Sequence, residues 1–244
     1  MRCLVVLTLL AACSPSPSPP RPREPVTTVV GDAPLDGAPA AVPDARRALA
    51  IVDAPIKWSD ARAALTLEYR RAHSDAAASD LAITPRVIVL HYTAGDSAKG
   101  TRSYFDNTEI EASRNELRRA GKVNVSSHYV VDRDGTIYRL QPDTRFARHC
   151  IGLNHVAIGI ENVGDDKKWP LTAAQVSANA ALVRELAATY PITHVLGHYE
   201  VMGFRDHAYY VELDPAYRNS KPDPGASFMA KVRAAVADLG LAGP

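Results

Sequence analysis

Cysteine is scarce, with three in 244 residues, so no disulfide framework supports the fold. No apolar run reaches the ~18 residues that would span a bilayer as a helix. Neither sign of charge dominates: 28 Lys and Arg stand against 27 Asp and Glu, and a net charge of +1 carries no sign of a nucleic-acid partner. What is present is a chain 46% hydrophobic and 23% charged, the profile of a globular protein rather than a disordered or collagen-like one.

The two ends of the chain differ in character. Residues 1–13 read MRCLVVLTLLAAC, in which Arg2 precedes an apolar stretch from Cys3 to Ala12. That length suits a secretory signal core and is too short for a stable span. Leu10-Ala11-Ala12-Cys13 resembles a bacterial lipobox, which implies that Cys13 is acylated and heads the mature chain. An ordinary signal peptide with a coincidental cysteine is the alternative. In Gram-negative lipoproteins a residue other than Asp after that cysteine implies the outer membrane, and Ser14 stands there. The stretch SPSPSPPRPREP follows, and ten of the 18 prolines lie between Pro15 and Pro55. Proline removes amide donors and favours extended conformations, so this segment reads as a semi-rigid spacer without a core. The expected organisation is a signal peptide over 1–12, a lipidated Cys13 with a Pro-rich linker over 13–55, and one folded domain over 56–244. A monomer is the default expectation.

Within the domain, Ser59 to His73 reads as a helix with Trp58 and Leu65 as core contacts. Arg86-Val87-Ile88-Val89-Leu90 is β-branched and reads as a buried strand with His91 at its end. Residues 97–120 are expected to hold one or two surface helices. Ser127–Val131 and Thr136–Leu140 flank Asp134-Gly135, a hairpin signal because glycine accepts positive φ. Val156 to Glu161 is a further strand. Thr172 and Gln175 form a capping box, and Leu171 with Val176 a hydrophobic staple, at the start of a helix that continues through Val183, Leu186 and Tyr190 to Pro191. Ile192 to Leu196 is another strand, and Phe228, Val232, Val236 and Leu239 mark a final amphipathic helix. Strands interleaved with helices predict an α/β fold: a single domain with a mixed central β-sheet flanked by helices.

His91 and His198 both follow apolar strands, and Asp223 lies in KPDPG just before the last helix. Two histidines and a carboxylate suit zinc, and three protein ligands leave a fourth position open, the layout of a catalytic site. From the residues alone, two polar strand ends and a helix-capping aspartate are the more ordinary reading. Glu161 sits in an apolar strand, where an unpaired carboxylate is costly. Alternation puts Gly159 and Glu161 on one face, with the glycine leaving space beside the carboxylate.

The segments VIVLHYTAG, SSHYVVDRDGTIYRL, HVAIGIENVG, GHYE and KPDPG occur in one order over about residues 86–228. Together they resemble the zinc-dependent N-acetylmuramoyl-L-alanine amidases of the amidase-2 type, a group that includes phage amidases and peptidoglycan recognition proteins. The resemblance implies Zn2+ held by His91, His198 and Asp223, with Glu161 as general base. It implies Lys221, two residues before Asp223, as a cation that stabilises the oxyanion. The implied activity is hydrolysis of the amide between N-acetylmuramic acid and L-alanine, with peptidoglycan or muropeptides as partners. A non-catalytic peptidoglycan-binding module is the alternative, and a zinc peptidase acting on the stem peptide a third.

The chain departs from the family pattern in places. Ser127 stands where some members carry a tyrosine, so no role for that tyrosine is carried over. His149 lies in ARHCIGLN, which resembles a family segment near the substrate groove, but Arg148 replaces its aromatic. His149 is therefore a candidate substrate contact, and His128 a structural or substrate-lining histidine. Cys150 reads as a lone thiol. The stretch from Tyr199 to Ser220, with Phe204, Tyr209, Tyr210 and Tyr217, reads either as a wall of the groove or as a packed lid.

Overall fold

A computed structural model describes residues 49–244. The expected signal segment, Cys13 and most of the Pro-rich spacer lie outside the described residues. Six strands form one sheet: β1 (Ile51–Asp53), β2 (Val87–Tyr92), β3 (Tyr129–Val131), β4 (Ile137–Arg139), β5 (Ala157–Asn162) and β6 (His194–Gly197). Their spatial order is β1-β4-β3-β5-β2-β6. The β3–β4 pair is antiparallel and every other pair is parallel, so the sheet is mixed as expected.

The folded part begins earlier than residue 56. Ile51 to Asp53, assigned to the spacer from the sequence, pair in parallel with β4. Three residues beside a run of prolines carry too little pattern to announce a strand, and only the free edge of β4 gives them a partner.

The hairpin between β3 and β4 turns at Gly135, whose φ is +89°. Its amide donates to the Asp132 carbonyl, and the Thr136 carbonyl accepts from the Asp132 amide. The left-handed backbone there strains any residue with a Cβ, and glycine relieves it.

Helices α1 (Asp60–His73), α2 (Ala98–Phe105), α3 (Asn115–Arg119), α4 (Ala173–Thr189) and α5 (Ala226–Ala235) surround the sheet. The Thr172 capping box is formed: the Gln175 amide donates to the Thr172 hydroxyl, and the Thr172 amide to the Gln175 side chain. Leu182, Val183 and Leu186 of α4 and Met229 and Val232 of α5 pack on Ile88, Leu90, Ile158 and Ile160. This face of the sheet holds the main core. On the other face Val87, Val89, Ala157 and Leu196 meet Cys150, Leu153, Val201 and Phe204, which come from loops and a 3-10 turn over His198–Phe204.

Helix α1 inverts the expected pattern. Its buried face is Arg62, Thr66, Tyr69 and His73, while Trp58 and Leu65 are only partly buried. Arg62 is fully buried because its guanidinium donates to the Phe105 and Asn107 carbonyls at the end of α2. Hydrophobic periodicity does not register such a face, since a helix end supplies carbonyls that reward a buried donor. In the last helix, Phe228 and Val232 are buried as expected, but Val236 caps the helix and Leu239 lies in a short 3-10 turn.

Candidate active site

The parallel strands β2, β5 and β6 end on one rim. Val87↔Ala157 and Val87↔His194 set a register in which His91 lies opposite Glu161, and His198 follows directly after β6. Side chains alternate along each strand. His91, Glu161 and His198 therefore leave the sheet on the face that carries Val89 and Leu196, away from α4 and α5. His91 lies inside β2 rather than beyond its end, and the Asn162 side chain holds its carbonyl at 3.0 Å.

Asp223 reaches the same point from a loop. The Tyr199 amide donates to the Asp223 carbonyl at 2.9 Å, which ties that loop to the turn carrying His198. The Asp223 side chain does not cap α5, whose N-cap is Gly225. It turns inward instead. His91 Nδ1 and His198 Nδ1 are 3.0 Å apart, and Asp223 Oδ2 lies 3.2 Å from the first and 3.1 Å from the second.

Three donors bound tetrahedrally at zinc–nitrogen and zinc–oxygen lengths would stand about 3.3 Å apart. The observed triangle fits that spacing with two nitrogens and one oxygen, a donor set that zinc favours. Among the described residues no fourth His, Cys, Asp or Glu atom joins the group. His91 and Asp223 are buried, at 2% and 6% exposure. Burial, then the charge of His198, lowers the His91 imidazole to about 4, so it stays neutral and able to ligate. Burial pushes the Asp223 carboxyl up, but hydrogen bonds from His198 and His91 outweigh it and hold the group well below the usual carboxylate range.

Glu161 stands beside this triangle. Its Oε2 is sealed from solvent and has no hydrogen-bond partner. Burial, reinforced by the Asp223 charge and opposed by Lys221, pushes its carboxyl up to about 8. All five residues, Lys221 included, line one cleft of about 520 Å³.

Family comparison adds an independent observation. The model of the N-acetylmuramoyl-L-alanine amidase family Amidase_2 matches residues 81–226, which is more than half of the chain and takes in all five. The chain belongs to this amidase family. An endolysin of Enterobacteria phage K11 is 31% identical over 86 residues, covering 33% of this chain and 57% of the endolysin. The endolysin of Escherichia phage T7 is 31% identical over 100 residues, covering 39% of this chain and 66% of its own length. The chain thus spans less than two thirds of either. The N-acetylmuramoyl-L-alanine amidase LysC from Clostridium intestinale URNW shares the fold, with a TM-score of 0.50 at 21% identity over 79% of this chain and 99% of that one.

Several side chains around the candidate site sit differently from the sequence expectation. Gly159 does not make room for Glu161. A Cβ there would lie 2.7 Å from Cγ of His149, so the glycine seats that ring. His149 lines the cleft and is also a neighbour of His91, with its Nδ1 3.0 Å from His91 Nε2. His128 is structural. Its Nδ1 accepts from the Gly159 amide and its Nε2 donates to the Arg145 carbonyl.

Arg148 stands where the family segment has an aromatic, and no pattern in the sequence announces what it does. It is buried under the cleft and donates to the carbonyls of Leu117, Gly121 and Val123 and to the Tyr217 hydroxyl. The stretch after His198 divides between its two expected roles. Phe204, Tyr209 and Tyr210 pack beneath the sheet, while Tyr217 and Asn219 line the cleft.

Proposed function

We propose that this chain is a zinc-dependent amidase that hydrolyses the amide between the lactyl group of N-acetylmuramic acid and the L-alanine of the stem peptide. The observation that carries the reading is the triangle of His91 Nδ1, His198 Nδ1 and Asp223 Oδ2 lining a cleft, beside a half-buried carboxylate whose Oε2 is sealed from solvent and has no hydrogen-bond partner. Family membership supports the bond class.

His91, His198 and Asp223 would hold the metal. A zinc ion held there would supply Lewis acidity and would make water more acidic. Glu161 takes the proton of the attacking water and returns it to the leaving amine. A carboxylate whose proton affinity is raised by burial is matched to both halves of that task near neutral pH. Lys221 brings a positive charge to the oxygen that becomes negative as the carbonyl carbon turns tetrahedral. The cleft walls, with Tyr92, Thr93 and Tyr217 among them, orient sugar and peptide about the scissile bond.

The same reading includes a lipid anchor at Cys13 and a position at the outer membrane facing the periplasm, with the Pro-rich spacer extending the domain toward the wall. Cys13→Ser is expected to release the protein from membranes; unchanged retention would remove the anchor from the proposal.

Digestion of purified peptidoglycan, with and without a chelator, tests the activity. Mass analysis is expected to find free stem peptides beginning at L-alanine, and chelation is expected to suppress them. Binding without products would favour the non-catalytic module instead, and cleavage inside the stem peptide a peptidase.

A further inference from the structure

We infer that His149 is a positioning residue for the metal centre: it fixes the tautomer and tilt of His91 through a relay that begins at the Ala157 carbonyl. The inference rests on the zinc reading above.

The relay follows from what each atom can do. His149 Nε2 lies 3.3 Å from the Ala157 carbonyl oxygen, which can only accept, so Nε2 carries the proton. In the neutral ring Nδ1 is then an acceptor. It lies 3.0 Å from His91 Nε2, which must donate to it. With its proton on Nε2, His91 presents the lone pair of Nδ1, and Nδ1 is the atom that faces His198 Nδ1 and Asp223 Oδ2. A ligating histidine generally donates its second ring N–H to such a partner, which orients the ring and raises its basicity. Here that partner is a second imidazole, and both nitrogens of His149 are engaged, leaving none for substrate.

The surroundings hold His149 in place. The Asn154 side-chain oxygen accepts from the His149 amide at 2.8 Å and from the Cys150 amide at 2.7 Å, and Asn154 is buried. Gly159 offers the flat backbone on which the ring lies, where a Cβ would come within 2.7–3.0 Å of three ring atoms. The ring stands edge-on to His91, with centroids 5.2 Å apart.

Zinc affinity of the full chain, measured by competition with a chromogenic chelator, tests the relay. The wild type is expected to bind one zinc per chain. His149→Leu removes the acceptor and is expected to weaken zinc binding by ~10–100-fold. His149→Asn places a side-chain oxygen near the position of Nδ1 and is expected to restore affinity to within ~3-fold of wild type. Gly159→Ala leaves all three ligands and His149 intact but unseats the ring, and it too is expected to lose affinity. It decides the matter should the leucine variant fail to fold. Wild-type affinity in the leucine variant, or in Gly159→Ala where leucine does not fold, would overturn the relay while leaving the metal centre standing. So would an equal loss with leucine and asparagine, which would mean that the acceptor does not matter. A wild type that binds no zinc would overturn the metal centre itself and the relay with it.

Discussion

His91 and Glu161 are register partners on adjacent parallel strands, so one pair of β residues sets an imidazole beside a carboxylate on the same face of the sheet. The spacing between them is fixed by backbone hydrogen bonds rather than by a loop. Glu161→Gln keeps the shape and removes the base. It is expected to retain zinc and lower kcat by ~10²–10⁴-fold, read from muropeptide turnover beside metal analysis. Full activity in this variant would take Glu161 out of the reaction.

Lys221 lines the same cleft as Glu161 and supplies the charge for the oxyanion in this scheme. Lys221→Met keeps the aliphatic stem and removes the charge. The expected outcome is a fall in kcat of ~10²–10³-fold with little change in zinc content. An unchanged kcat would reduce Lys221 to a solvated loop residue.

The raised proton affinity of Glu161 has a consequence for the metal-free protein. Its pKa is about 8 in the folded chain against 4.5 for the unperturbed group. The folded state therefore holds this proton more tightly than the unfolded state. The stabilisation it provides is fully present below the unfolded pKa and is lost as pH rises through about 8. One proton gives a slope of at most ~1.4 kcal/mol per pH unit. Chemical denaturation of metal-free wild type and Glu161→Gln across this range is expected to show the extra decline in wild type alone. Parallel stability curves would mean that the carboxyl titrates normally.

Arg148 joins the Leu117 carbonyl of α3 and the Gly121 and Val123 carbonyls that follow it to Tyr217 beyond β6. Arg148→Met fills much of the volume but orphans those acceptors. A loss of ~3 kcal/mol is expected, which for a domain of this size is a fall in Tm of ~6–12 °C. Thermal melting followed by circular dichroism measures it, and a shift under ~2 °C would show that water replaces the guanidinium.

Two glycines make opposite predictions. At Gly152, φ is +79° and a Cβ would lie 2.2–2.6 Å from the Tyr210 ring, so Gly152→Ala is both strained and overpacked. A cost of ~2–4 kcal/mol is expected. At Gly203 a Cβ meets nothing within 4 Å and φ lies outside the left-handed region. Gly203→Ala is expected to stabilise by ~0.4–1 kcal/mol through the unfolded chain. Denaturant unfolding of the two variants gives both signs, and like signs would count against this account.

The sequence by itself determined the local pieces. β2 and β5 are runs whose alternation is written in consecutive residues, the Thr172 cap needs only a partner three positions on, and the Asp134-Gly135 turn specifies its own hairpin. The order of the short motifs carried the resemblance that singled out His91, Glu161, His198, Lys221 and Asp223. Only the tertiary structure decided what Gly159 is for, since the ring it seats is ten residues away and reaches it through a loop without periodicity. It likewise decided that Arg62 and Arg148 are buried, that Ile51 to Asp53 form a strand, and that His149 stands behind His91. Each of these depends on a carbonyl, an edge or a flat stretch of backbone contributed by a distant segment. Pairings of that kind leave no repeat in the chain, because the physical partner exists only once the sheet has set its register.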